Sequence, residues 1–268
     1  MAELINRPDY LNQLIQNKDV DLVKIVTGIR RCGKSSLLDL FHKYLLDNGI
    51  PASNIIHMNM ESLRFRELTN YLAFYDFVSK LIVPNTKNYL IFDELQAVEH
   101  WEKAIESFRL DYDVDIYITG SNAYLLSTEF STLLSGRYVE IKMLPLSFKE
   151  FLNFYEFTAD TSMEEKFQRY LQFGGMPILR EYKFNESRSN HALEGIYSTV
   201  VLRDILQRNP GLDQTTLQKI VLFLCSSIGS ITSPNSIGNV LTNEGNIQTG
   251  KQKNIAGKTV ERDRKSVV

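Results

Sequence analysis

"DLVKIVTGIRRCGKSSLLDLFHKYLLDNG", residues 21–49, carries three local signals in succession. Asp21 to Gly28 is a short β-branched run closing on glycine, which reads as a buried strand. Leu37, Leu38, Phe41, Tyr44 and Leu45 then recur at helical spacing until Asp47-Asn48-Gly49 stops the helix. Between strand and helix, Gly28 to Ser35 fits G-x-x-x-x-G-K-[ST]. A loop of that form wraps a polyanion with backbone N–H groups, and a Cβ at either glycine would crowd its tight turns. The plainer alternative is a glycine-bearing turn; the flanking strand and amphipathic helix decide for a phosphate cradle. Its expected members are Gly28, Ile29, Arg30, Arg31, Cys32, Gly33, Lys34, Ser35 and Ser36. Lys34 would serve the β- and γ-phosphates of a nucleotide and Ser35 a Mg²⁺ ion, with the helix N-terminus adding its dipole.

Outward from this stretch, strands are expected at 54–61, 88–94, 114–122 and 137–144, with helices around 63–82, 98–110 and 124–135. Strands alternating with helices imply an α/β domain with a five-stranded parallel sheet covered on both faces, here residues 1–146. Tyr89 to Phe92 is unbroken apolar, as a central strand should be, whereas Tyr138 to Met143 alternates, which suits an edge. Asp93 and Glu94 close the third strand at its carboxyl end, where ligand sites of α/β sheets lie. Asp93 would hold the Mg²⁺ hydration shell, and Glu94 would orient and deprotonate an attacking water. Ser121 and Asn122 end the fourth strand, where Asn122 would touch the γ-phosphate or that water, or else cap a helix. Arg137, before the last strand, either reaches a neighbouring subunit's γ-phosphate or is a solvated surface arginine.

From 147 the texture becomes helical and aromatic-rich, giving an expected lid at 147–208. Residues 209–262 follow a helix–helix–helix pattern, expected to be an incomplete winged helix. Its helix 217–228 would leave Leu217, Ile220, Val221 and Leu224 uncovered. "DRKSVV", residues 263–268, back-translates to one reading frame of a common sequencing adapter. The expectation is therefore a fragment with a non-native tail, against a genuine charged terminus.

The combination of "GIRRCGKSSLL", "IFDELQ", "ITGSNAYLLS", "GRYVEIKMLPLSFKEF", "FGGMP" and "VVLRDI" resembles the prokaryotic AAA-family ATPases often paired with a C-terminal DUF4143 domain. The resemblance runs from about residue 5 to 262. It implies an AAA+-like P-loop core with strand order 5-1-4-3-2, then a helical lid, a winged helix and a nuclease-like domain that this chain would lack. It further implies Lys34 and Ser35 on phosphate and Mg²⁺, Asp93 and Glu94 as the second acidic motif, Asn122 as sensor and Arg137 as a finger-like arginine. Gly175-Met176-Pro177 resembles a lid motif that closes over the nucleotide, which brings Pro177 to the ATP; a helix-breaking turn is the alternative.

The totals restrict the remaining classes. A formal charge of −2 argues against a generally basic nucleic-acid surface. Two cysteines, Cys32 and Cys225, make neither a disulfide framework nor a zinc spacing, so a cytoplasmic setting is expected. No apolar run approaches the roughly 18 residues of a membrane span, so no membrane partner is expected. The guanine-specific pattern Asn-Lys-x-Asp has no counterpart, since "NKDV" at 17–20 is out of register and upstream. An acidic pair plus a polar residue on the next strand favours water activation over a small-molecule kinase. The reading is an Mg²⁺–ATP hydrolase driving a conformational switch, possible as a homo-oligomer. The alternative is a winged-helix regulator that contacts DNA and uses ATP as a ligand. Cys32, beside Gly33 and Lys34, is expected to be a reactive thiol of lowered pKa, and Cys225 the more sheltered of the two.

Overall fold

The computed structural model describes residues 5–120, 136–199, 205–208, 212–233, 235 and 237–238. The chain divides into two compact units, Met1–Glu186 and Ser187–Val268. The first unit opens with α1 (Pro8–Gln16), whose first turn tolerates proline because its N–H has no intrahelical partner. It continues through β1 (Val23–Thr27), α2 (Lys34–Asp47), β2 (Ile55–Asn59), α3 (Tyr71–Ser79) and β3 (Asn88–Asp93). Then come α4 (Trp101–Asp111), β4 (Val114–Thr119) and β5 (Tyr138–Lys142). The five strands pair in parallel in the order β2-β3-β4-β1-β5, which is the expected 5-1-4-3-2 arrangement.

Side-chain alternation along each strand supplies both faces. Leu90 and Phe92 of β3 join Phe74, Val78, Ile105 and Phe108 of α3 and α4. Tyr89 and Ile91 point the other way, to Leu14 of α1 and Leu37, Leu38 and Phe41 of α2. All six β3 residues are buried, which accounts for its unbroken apolar run, whereas β5 at the edge shows one buried residue in five. After β1 the chain crosses to β2 at the far edge and returns through β3 and β4. The carboxyl end of β1 is therefore a topological switch point, where α/β sheets place ligands.

A polar knot closes the opposite, amino edge. Lys24 of β1 is fully buried and pairs with Asp115 of β4, and its ammonium also donates to the Val20 carbonyl at 2.7 Å. The second Asp115 oxygen accepts from the Asp19 N–H and from the Tyr117 hydroxyl, both at 2.8 Å. Burial pulls the Lys24 pKa down against the charge of Asp115.

Beyond the sheet, α5 (Phe148–Phe154) and α6 (Met163–Phe173) each begin with a serine capping box, Ser147 with Glu150 and Ser162 with Glu165. Phe151, Tyr155, Tyr170 and Phe184 pack between them as an aromatic cluster within the same compact unit as the sheet.

The second unit contains most of α7 (Glu186–Tyr197), then α8 (Ile205–Arg208) and α9 (Gln214–Ser226). One expectation fails here. Leu217 and Ile220 are buried rather than uncovered, because Ile205 and Leu212 close over Leu217 and Ile237 over Ile220. Val221 and Leu224 pack beside them. Leu222, Ile228 and Ile231 are the apolar residues of this segment that face outward. The expected winged helix and the tail fall largely outside the described residues. Among those residues no helix is long and apolar enough to cross a membrane.

Candidate active site

β1 ends at Thr27, and the chain must turn into α2 by Lys34. Gly28 makes the turn at φ +150°, and a Cβ there would lie 2.3 Å from the Met143 carbonyl oxygen and 2.9 Å from Cys32 Sγ. Close backbone approach to the segment after β5, as well as conformation, thus requires glycine at this point. Arg31 takes a left-handed conformation at φ +65° without being glycine, a strain of the kind functional loops retain. The Lys34 ammonium turns back into the loop, donating to the carbonyls of Gly28 at 3.0 Å and Ile29 at 3.3 Å. Lys34 is 4% exposed, and 3.9 Å separates its nitrogen from Glu94 Oε1.

The acidic pair arrives from β3. Asp93 is buried, and both carboxylate oxygens are held: Oδ1 accepts from the Thr119 hydroxyl and Oδ2 from the Asn59 amide at 2.8 Å. The same Thr119 oxygen accepts the Glu94 N–H at 3.0 Å. Glu94 sits at φ +54°, and the Gln96 amide donates to its Oε2. One acid is therefore locked beneath the loop while the other turns out toward Lys34. Asn59, Asp93 and Thr119 are the last residues of β2, β3 and β4. This polar row at the strand ends was missed from sequence except for Asp93. A polar residue closing an otherwise apolar strand is the signal that would have found Asn59 and Thr119.

Lys34 and Glu94 border a cleft of about 610 Å³. Arg30, Arg31, Cys32, Gly33, Lys34, Ser35 and Ser36 form one wall, with Glu94 beside them. Pro177 forms part of another, followed by Arg180 and Glu181, so Pro177 borders the same cleft as the phosphate loop. Gly175 permits this: a Cβ there would stand 2.4 Å from the Leu146 carbonyl oxygen, to which the turn is pressed. Gly28 and Ile29 contribute the carbonyls that hold Lys34 and do not border the cleft. Glu61 and Arg7, neither expected from sequence, also line it.

Three expected residues stand differently. Asn122 lies outside the described residues. Arg137 is remote from the loop: Tyr138 pairs with Val23 and Lys142 with Thr27, so Arg137 precedes the amino end of β5 while the loop leaves the carboxyl end of β1. Its guanidinium pairs with Glu106 at 3.0 Å and is 57% exposed. Cys32 reverses the expectation made for its thiol. The side chain points beneath the loop into the α1–α2 core, fully buried, with Sγ donating to the Met143 carbonyl at 3.7 Å. Burial pushes its pKa up despite the charges of Lys34 and Arg7, and Cys225 is the exposed cysteine.

The donor set fits a Mg²⁺–nucleotide. Backbone N–H groups at a helix start and a lysine suit phosphates, and the Ser35 hydroxyl with the Asp93 carboxylate supplies hard oxygen donors. Parallel sheet, strand order and loop together define a P-loop protein of the AAA+ type. Residues 21–152 match the AAA domain family AAA_14, and residues 164–262 match a domain of unknown function, DUF8612. The chain thus carries an AAA domain followed by a DUF8612 domain.

An uncharacterized protein of Haemophilus influenzae is 40% identical over 243 residues, which is 90% of this chain and 60% of that protein. The uncharacterized protein MJ1544 of Methanocaldococcus jannaschii is 34% identical over 231 residues, 76% of this chain and 49% of that protein. The chain therefore spans 49% to 60% of these relatives' lengths. Among solved structures, the Walker-type ATPase PABY2304 of Pyrococcus abyssi superposes with a TM-score of 0.64 at 17% identity, covering 97% of this chain and 89% of that one. That likeness is one of fold.

Proposed function

We propose that this chain binds Mg²⁺–ATP in the cleft and hydrolyses it, using turnover to switch the conformation of its helical segments. The observation that carries the reading is the meeting of Lys34 and Glu94, 3.9 Å apart, over an Asp93 held at both oxygens. In this reading the loop N–H groups of 30–36 take the phosphates, and the Lys34 ammonium exchanges its carbonyl partners for β- and γ-phosphate oxygens. Ser35 and Asp93 would hold the metal, which would supply charge neutralisation to the phosphates. Glu94 accepts a proton from water as the water oxygen bonds to the γ-phosphorus. The bond from that phosphorus to the bridging oxygen breaks, and its electron pair leaves with ADP.

Asn122 is proposed as the polar group that contacts the γ-phosphate or the attacking water. Arg137, ahead of the amino end of β5, acts in this reading on a second copy's nucleotide, so hydrolysis proceeds in a homo-oligomer. The test is phosphate release from Mg²⁺–ATP without any acceptor. Steady release by the wild type, abolished together with nucleotide binding in Lys34→Ala, supports the reading. Binding without release under all conditions contradicts it.

A further inference from the structure

Arg7 immediately precedes α1 and is 3% exposed, yet each of its five N–H groups can be assigned an acceptor. Nε and Nη2 reach the two carboxylate oxygens of Glu150 at 2.7 and 3.0 Å, a bidentate pair. Nη1 donates to the carbonyls of Cys32 at 3.0 Å and Leu144 at 2.9 Å, and Nη2 also to Pro145 at 3.4 Å. The guanidinium therefore joins the phosphate loop, the segment after β5 and the first turn of α5. Arg7 also stacks on Tyr10, 4.5 Å from its ring centre.

The loop contact has a geometric consequence. A trans peptide holds the Cys32 C=O and the Gly33 N–H antiparallel, so anchoring the oxygen fixes the direction of that N–H. Gly33 borders the cleft, and its N–H is one of the donors the loop can offer an anion. At the other end, the Glu150 carboxylate held by Arg7 also accepts the Ser147 N–H and hydroxyl, both at 2.9 Å, and thereby caps α5. One residue before Ser147, the Leu146 N–H donates to the Gly175 carbonyl at 2.7 Å, beside the Pro177 turn that walls the cleft. The loop and the facing wall thus hang from one strut, residues 143–150.

We propose that Arg7 is a positioning residue that presets the phosphate loop and transmits its nucleotide state to α5 and the Pro177 turn. The inference rests on the loop being the ATP site. Lysine cannot replace arginine here, because a single ammonium cannot meet a planar carboxylate and three carbonyls at once.

Hydrogen exchange on the full chain, with Mg²⁺ and a β,γ-methylene ATP analogue, tests it. In the wild type, nucleotide should protect both the loop (28–37) and the α5 segment (147–155). In Arg7→Lys, and independently in Glu150→Gln, saturating nucleotide should still protect the loop while protection of 147–155 is lost. The dissociation constant should rise about tenfold in Arg7→Lys, the scale of one charge-assisted hydrogen bond. A protected loop with 147–155 unchanged in the wild type overturns the inference and leaves the ATP reading intact. So does transmission that survives in both variants. A wild-type loop that nucleotide never protects removes the ATP reading and this inference with it.

Discussion

Replacing Thr119 by valine removes one oxygen and keeps the shape of a fully buried side chain. That oxygen does two things at once, donating to Asp93 Oδ1 and accepting the Glu94 N–H at 3.0 Å. The first is a hydrogen bond to a charged group, worth about 1.5–3 kcal/mol, and the second leaves a part-buried donor unmet at about 1–3 kcal/mol. Water can reach the Glu94 amide in part, so the combined loss should be about 2–4 kcal/mol. Trp101, the single tryptophan, is buried against the sheet and reports unfolding of this unit in urea. At a slope of about 1–3 kcal/mol per molar, the midpoint should fall by at least about 0.7 M. Phosphate release should fall at least about tenfold, because Asp93 loses one of its two anchors and Glu94 its backbone tether. Thr119→Ser, which keeps the hydroxyl, should stay within about 1 kcal/mol of the wild type. A valine variant with wild-type stability and wild-type turnover would refute the assignment of this oxygen as the joint that sets both acids.

Asp115→Asn should cost about 3–5 kcal/mol in urea unfolding, since it leaves the buried Lys24 ammonium without a counter-charge. Much of the cost should be recovered in Lys24→Met/Asp115→Asn, which removes the buried charge and keeps a side-chain carbonyl for the Asp19 N–H and the Tyr117 hydroxyl, and no recovery there would contradict the pairing argument. Brief maleimide treatment followed by peptide mapping should modify Cys225 well before Cys32, whose thiol is buried and raised in pKa; faster labelling of Cys32 would mean the loop opens readily. Burial works to raise the Glu150 pKa, but hydrogen bonds from Arg7 and Ser147 hold it below the ordinary carboxylate range. The stability this contributes is present above the unfolded-state pKa of about 4.3 and is lost as pH falls through the lower folded value. The stability gap between wild type and Glu150→Gln should therefore be constant at neutral pH and shrink below about pH 4; a gap that widens in acid would reverse the sign.

The sheet was legible because each strand is apolar on the faces that helices cover, and because Gly28 to Ser35 orders strand, loop and helix in one run. Even the edge position of β5 could be read from its alternation. What could not be read was long-range. Arg7 carries no local signal, and nothing nearby in sequence relates it to Glu150, 143 positions away. Lys24 interrupts β1 without naming Asp115 as its partner. Cys32 was misread for a related reason. Its neighbours in sequence are cationic, but its side-chain direction is set by the packing of Gly28 and Met143, so burial outweighs charge. The uncovered helix expected at 217–228 likewise failed because Ile205, Leu212 and Ile237, outside that helix, supply the cover.

The central claim is that Glu94 removes the proton from the attacking water while Lys34 holds the phosphates. The measurement that reaches it most directly is the fate of labelled Mg²⁺–ATP on Glu94→Gln, separated from free nucleotide by gel filtration and analysed after quenching. The amide keeps the size of Glu94 but cannot take the proton. The account predicts one ATP retained per chain and recovered unhydrolysed, against ADP from the wild type and no retained nucleotide from Lys34→Ala. Phosphate release from Glu94→Gln at the wild-type rate would contradict it.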